Sequence, residues 1–115
     1  MDRVIFKILT PQADAQLSAN GALTPSGVDA QDGYVHFSTA AQLTETLNLH
    51  YQGHGDLVIL AVDGGTHPDI RWEAARSGDL FPHLYATLTH AMVIDRLPLN
   101  AARDGLADWL KGVAA

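Results

Sequence analysis

The sequence predicts an α+β fold: a single compact domain over residues 1–115 in which strands and helices share one core. Three observations carry that expectation. Apolar runs of strand length alternate with amphipathic helical stretches in no strict βαβ order. The 115 residues, 47% of them hydrophobic, suit one core rather than two. No internal repeat, linker or low-complexity tract divides the chain.

The elements follow in order. Val4 to Leu9 is β-rich and apolar and reads as a buried strand. Thr10-Pro11 is a cap-plus-proline helix start; Ala13 and Leu17 give the helix its apolar side, and Asn20-Gly21 stops it. Ala22 to Asp32, with Pro25 and Gly27, reads as a polar loop. Gly33 to Ser38 alternates as a strand, with Tyr34, His36 and Ser38 on one face and Val35 and Phe37 on the other. Burying Val35 and Phe37 turns His36 and Ser38 toward solvent or a cleft. Thr39 and Gln42 have capping-box spacing, and the helix they open runs through Leu43 and Leu47 toward Tyr51, before Gly53 and Gly55. Asp56 to Val62 is a continuous apolar run, as in a central strand covered on both faces. Ile70 to Ala74 reads as a short strand with Arg71 and Glu73 opposite Trp72, and Ala91 to Ile94 as a strand that Pro98 follows. A helix from about Arg103 buries Leu106, Trp109 and Leu110. The total is about five strands and about three helices.

Composition removes several function classes. Seven Lys and Arg against 13 Asp and Glu give a net charge of −6, which speaks against a broad nucleic-acid or anionic-membrane surface. A small phosphate ligand, needing one or two Arg, stays compatible. Without cysteine there is no disulfide, thiol catalysis or Cys-ligated zinc. Lys7 interrupts the only apolar run near the N-terminus, so neither a signal peptide nor a membrane span is expected. The expectation is a soluble cytoplasmic protein, with the oligomeric state open.

Chemistry has few places to sit. His50 and His54 have the spacing of a helical metal pair, but glycines flank His54 and no Glu intervenes, so a solvated helix end explains both and no metal site is expected. No Gly-x-Ser-x-Gly elbow or phosphate-binding Gly-Lys loop is present. Two clusters stand out. In the first, Tyr34, His36, Ser38 and Thr39 join a strand to a helix start, where backbone N–H groups favour an anion and His36 can assist it; equally, His36 serves as a satisfied polar anchor. The second joins Arg71-Trp72-Glu73 to Phe81-Pro82-His83-Leu84-Tyr85. Its Arg71, Glu73, His83 and Tyr85 have no evident role in a core.

Taken together, Gly33-Tyr34-Val35-His36-Phe37-Ser38-Thr39 with Gln42, Trp72-Glu73, and Phe81-Pro82-His83-Leu84-Tyr85 resemble the motifs of the small bacterial family called domain of unknown function nine hundred and fifty-two. The likeness spans nearly the whole chain. It implies an ADP-ribosyltransferase-like α+β fold, with two small mixed or antiparallel sheets around a cleft in which relatives of that fold bind NAD. Gly21-x-Leu23 followed by His36-x-Ser38 is similar to the placement of nucleotide-contacting residues in that wider group, which includes RNA 2′-phosphotransferases. Carried over, His36 and Ser38 would touch ribose or phosphate, and Tyr34 or Tyr85 would stack on a ring.

Typical transferases of the group place a catalytic Glu late in the chain, whereas the glutamates here are Glu45 and Glu73. Glu45 falls on a solvated helix face, which leaves Glu73 as the candidate carboxylate, assisted by His36. The expected activity is binding of NAD, as substrate, or of an ADP-ribose-like nucleotide, with ADP-ribosyl transfer at Glu73 and His36. Arg71, Thr39 and His83 complete the binding set. The alternative is a noncatalytic small-molecule or peptide module that has lost transfer activity.

Overall fold

In the computed structural model, which describes residues 3–65 and 67–114, the opening apolar run is strand β1 (Val4–Leu9). Helix α1 (Pro11–Asn20) starts where Thr10 accepts a hydrogen bond from the Ala13 N–H, and it stops at Gly21 in the left-handed conformation, φ 74°. There follow α2 (Gly27–Asp32), β2 (Val35–His36), α3 (Ala40–His50), β3 (Leu57–Asp63), β4 (Ile70–Ala74), β5 (Leu80–Leu84), a 3₁₀ turn (His90–Met92), β6 (Val93–Leu99) and α4 (Leu106–Val113). Met1, Asp2, Thr66 and Ala115, part of the expected 1–115 domain, lie outside the described residues.

Two antiparallel three-stranded sheets organise the chain, ordered β1-β3-β6 and β2-β5-β4. Side-chain alternation on β1 and β3 sorts the core into two layers. Ile5, Leu9, Val58, Leu60 and Val62 pack with Val35 and Leu84 of the second sheet, Phe37 just beyond β2 and Leu17 of α1. Phe6, Ile8, Ile59 and Ala61 pack on the other side against Leu43 and Leu47 of α3 and Leu106 of α4. Strand β3 is thus covered on both faces, as its continuous apolar run requires. Two small antiparallel sheets and, among the described residues, four α-helices make an α+β domain.

Three expectations are corrected, and one segment without an expected element gains one. The segment 22–32 is not all loop: its last six residues form α2, whose one buried residue is the charged Asp29, so no apolar periodicity announces it. The strand expected over 33–38 pairs only at Val35 and His36, opposite Leu84 and His83. Phe37 N–H still bonds the Pro82 carbonyl at 3.1 Å, but Pro82 has no N–H to return the bond, and the ladder ends there. Phe81 to Leu84, which the sequence leaves without an assigned element, belongs to strand β5, the centre of its sheet. Finally, the last strand does not span Ala91 to Ile94: Ala91 and Met92 belong to the 3₁₀ turn, and β6 runs from Val93 to Leu99 through Pro98, tolerated because β6 is a sheet edge.

Candidate functional site

The second sheet places the candidate residues by register. His36 lies opposite His83, and His83 opposite Arg71, so the three form one row across β2, β5 and β4. Alternation puts Tyr34, Tyr85 and Glu73 on the same face as that row, while Val35, Leu84 and Trp72 turn to the core. One face of a small sheet therefore gathers six polar or aromatic side chains from three strands.

Their rings interlock. The Tyr34 ring stands 4.6 Å from His36, 4.3 Å from His83 and 5.0 Å from Tyr85, centroid to centroid. The Arg71 guanidinium lies 4.6 Å over the Tyr85 ring, a cation–π contact. Glu73 Oε1 accepts from the Tyr85 hydroxyl at 2.6 Å and pairs with His83 Nδ1 at 2.8 Å. The Tyr85 bond, and then the His83 bond, hold the Glu73 carboxyl below the ordinary carboxylate range, so it is anionic at neutral pH. The same bond to Glu73, together with partial burial, pushes the Tyr85 hydroxyl up to about 12. Burial, then the charges of Asp32 and Glu73, also push Tyr34 up.

Behind this face runs a second chain of charges. Lys7 sits on β1 with Ile5 and Leu9, facing the layer between the two sheets, and is 7% exposed. Its ammonium is 2.7 Å from Asp29 Oδ2, and Asp29 is itself only 6% exposed. Asp29 Oδ1 accepts the His36 backbone N–H at 3.1 Å and meets His36 Nδ1 at 2.7 Å. The other ring nitrogen, Nε2, lies 3.0 Å from Asp32 Oδ2. Burial alone raises the Asp29 carboxyl, but the His36 hydrogen bond and the Lys7 charge outweigh it and hold the group below the usual range. Burial lowers Lys7 by more than Asp29 restores. Beside the cluster opens a cavity of ≈ 320 Å³ whose lining includes Pro25, Asp29, Gly33, Tyr34, Tyr85 and Thr87.

Tyr34, His36, Arg71, Glu73, His83 and Tyr85 thus come together, whereas Ser38 and Thr39 stand apart. Ser38 is buried with its hydroxyl 3.0 Å from that of Thr46, and Thr39 caps α3 in a complete capping box with Gln42. Glu45 is exposed on α3. His54 packs edge-on against Tyr51, and among the described residues no group of three or more His, Cys, Asp or Glu side chains could hold a metal ion. Sequence reading missed Asp29, Asp32 and Lys7. The available signal was Lys7 itself, a cation in an otherwise buried strand, which demands an opposite charge.

The family described as "Protein of unknown function (DUF952)" matches residues 8–96, which include both motif clusters. Among solved structures, the crystal structure of protein CC0527 from Caulobacter crescentus is 36% identical, covers 94% of this chain and 98% of its own, and superposes with a TM-score of 0.84. A double mutant of that protein is 35% identical with the same TM-score, and its solution structure is 36% identical with a TM-score of 0.76. The matched coverage is 94% and 98% for the mutant and 93% and 96% for the solution structure. No curated protein matches. With 36% identity over nearly the whole fold and a family match across residues 8–96, the chain belongs to the DUF952 family.

Proposed function

We propose that the His36–His83–Arg71 face binds a nucleotide of the NAD or ADP-ribose type, on a fold of ADP-ribosyltransferase kind. The observation that carries the reading is the convergence of four rings in mutual contact, one guanidinium and one carboxylate on a sheet face whose opposite side already supplies the core contacts. Stability asks little of the outward members, because partly exposed polar pairs such as Glu73–Tyr85 and His36–Asp32 contribute little, while the buried His83 is satisfied by Glu73. A nucleotide matches it group by group: a planar base or nicotinamide for Tyr34 and Tyr85, a pyrophosphate for Arg71, ribose hydroxyls for the His83 Nε2 and Glu73 Oε2 atoms. In transfer, the anionic Glu73 stabilises positive charge developing on the ribose as the C1′–N bond breaks, nicotinamide leaves with the bonding pair, and water or an acceptor nucleophile bonds to C1′ and gives up its proton to solvent. Its lowered carboxyl suits that electrostatic role better than proton abstraction.

A second reading, binding without turnover, is favoured by one feature. Both His36 ring nitrogens already face carboxylates, and Glu73 Oε1 already takes two donors, so the cluster offers few free groups to move a proton. Calorimetric titration with NAD and ADP-ribose tests the shared claim: saturable heat is expected, and silence at millimolar ligand overturns it. Nicotinamide release then separates the readings. Release that is abolished in Glu73→Gln supports transfer, and intact NAD after hours supports the binding module.

A further inference from the structure

The two nitrogens of His36 are held by carboxylates of opposite character. Asp29, facing Nδ1, is buried, is anchored by the buried Lys7, and also accepts the His36 backbone N–H. Asp32, facing Nε2, is half exposed, its side chain 41% accessible, and ends the six-residue helix α2 just before the left-handed Gly33. A carboxylate with three donors in the interior cannot leave without orphaning a charge. One on the surface, four residues from its partner, can swing away for little.

We infer that His36 meets its ligand through Nε2, with the Lys7–Asp29 pair as the positioning device and Asp32 as an occupant that the ligand's oxyanion displaces. The inference rests on the nucleotide reading and adds to it which ring atom contacts phosphate, which residue competes there, and what holds the ring.

The contact geometry supports each part. Asp29 takes both the backbone and ring donors of His36 on one oxygen, at 3.1 and 2.7 Å, which fixes the ring torsion as well as the strand. Two donors directed from one residue to one oxygen leave the ring a single orientation, with Nε2 pointing outward. The Asp32 oxygen 3.0 Å from Nε2 stands where a phosphate oxygen would make the same charge-assisted bond. Next to it, the Tyr34 ring stacks on His36, so a ligand bound at Nε2 would have its planar part beside Tyr34 and the ≈ 320 Å³ cavity.

Three variants test this with ADP-ribose as the calorimetric probe. Asp32→Ala removes the competitor and is expected to tighten binding roughly two- to fivefold, the scale of an exposed ion pair. Lys7→Met/Asp29→Leu removes the anchor while filling its volume, and is expected to fold but to bind about tenfold more weakly, the scale of outer-shell losses elsewhere. Lys7→Met/Asp29→Asn keeps an acceptor for both His36 donors and is expected to restore most of that affinity. Ring ¹⁵N spectra separate positioning from mere structure: Asp32→Ala should move Nε2 and spare Nδ1, and the Leu variant the reverse. Unchanged or weaker binding in Asp32→Ala overturns the inference. If neither the native protein nor Asp32→Ala binds ADP-ribose, the nucleotide reading fails, and inorganic pyrophosphate decides this inference. It must then shift the Nε2 signal at lower concentration in Asp32→Ala, and equal titration overturns it.

Discussion

Glu73 and Tyr85 show how one hydrogen bond sets the state of two groups. The hydroxyl proton held 2.6 Å from Glu73 Oε1 lowers the carboxyl and raises the phenol to about 12. For Tyr85 the folded value lies above the unfolded one of about 10. The stabilisation it brings is therefore complete below pH ~10 and lost as pH climbs from there toward 12. In Glu73→Ala the Tyr85 ionisation is expected to fall back toward ~10. Ultraviolet difference titration, with Tyr85→Phe identifying the step, checks it; an unmoved step shows that burial, not Glu73, dominates. At this scale the sequence motifs located six of the converging residues: Tyr34, His36, Arg71, Glu73, His83 and Tyr85. They could not show that Ser38 turns inward to Thr46, because a two-residue strand does not sustain the alternation that would have kept it beside His36. Asp29 was hidden for a different reason: a buried charge has no periodic signature.

Legibility among the elements followed the local chemistry that ends them. Helices α1 and α3 were readable to the residue at their starts because Thr10 and Thr39 make side-chain caps there. Helix α2 was not, since Ser26 makes no such bond and its inward residue is an aspartate. Strand β5 was obscured by Pro82, which in a central strand argues against the assignment. It is tolerated because its donor-less side faces the point where β2 ends. The α3 cap also bears on the site, since Gln42 bonds both the Thr39 N–H, at 3.0 Å, and the Leu80 carbonyl at the start of β5, at 2.7 Å. Thr39→Ala is expected to lose roughly 0.5–2 kcal/mol, the usual range for a lost cap. Urea unfolding should show a lower midpoint with an unchanged slope. A larger loss, or an altered slope, would mean that the cap also carries the junction between α3 and the second sheet.

At the scale of the whole molecule, the Lys7–Asp29 pair is a charged link between the two sheets' shared layer and the polar face. Asp29 is depressed in the folded state, so the stability it contributes is present above its ordinary value of 3.8 and lost as pH falls through the lower folded value. Lys7 is lowered from 10.5, so the folded chain holds its proton less tightly than the unfolded one, and its charging opposes folding at neutral pH. Each charge of a buried pair costs its desolvation, so such a pair specifies arrangement more than it adds stability. The consequence is measurable. Removing either partner alone, by Lys7→Met or Asp29→Leu, strands a buried charge and is expected to lose roughly 3–5 kcal/mol at neutral pH. Removing both charges by Lys7→Met/Asp29→Asn, which leaves the His36 N–H an acceptor, is expected to be neutral or to gain up to about 4 kcal/mol. It should also abolish the part of the acid sensitivity that Asp29 causes. Denaturation at neutral pH and again in acid, for all four proteins, decides it. If the double variant is as unstable as the singles, the pair holds the two layers together in its own right, and its position behind His36 is secondary.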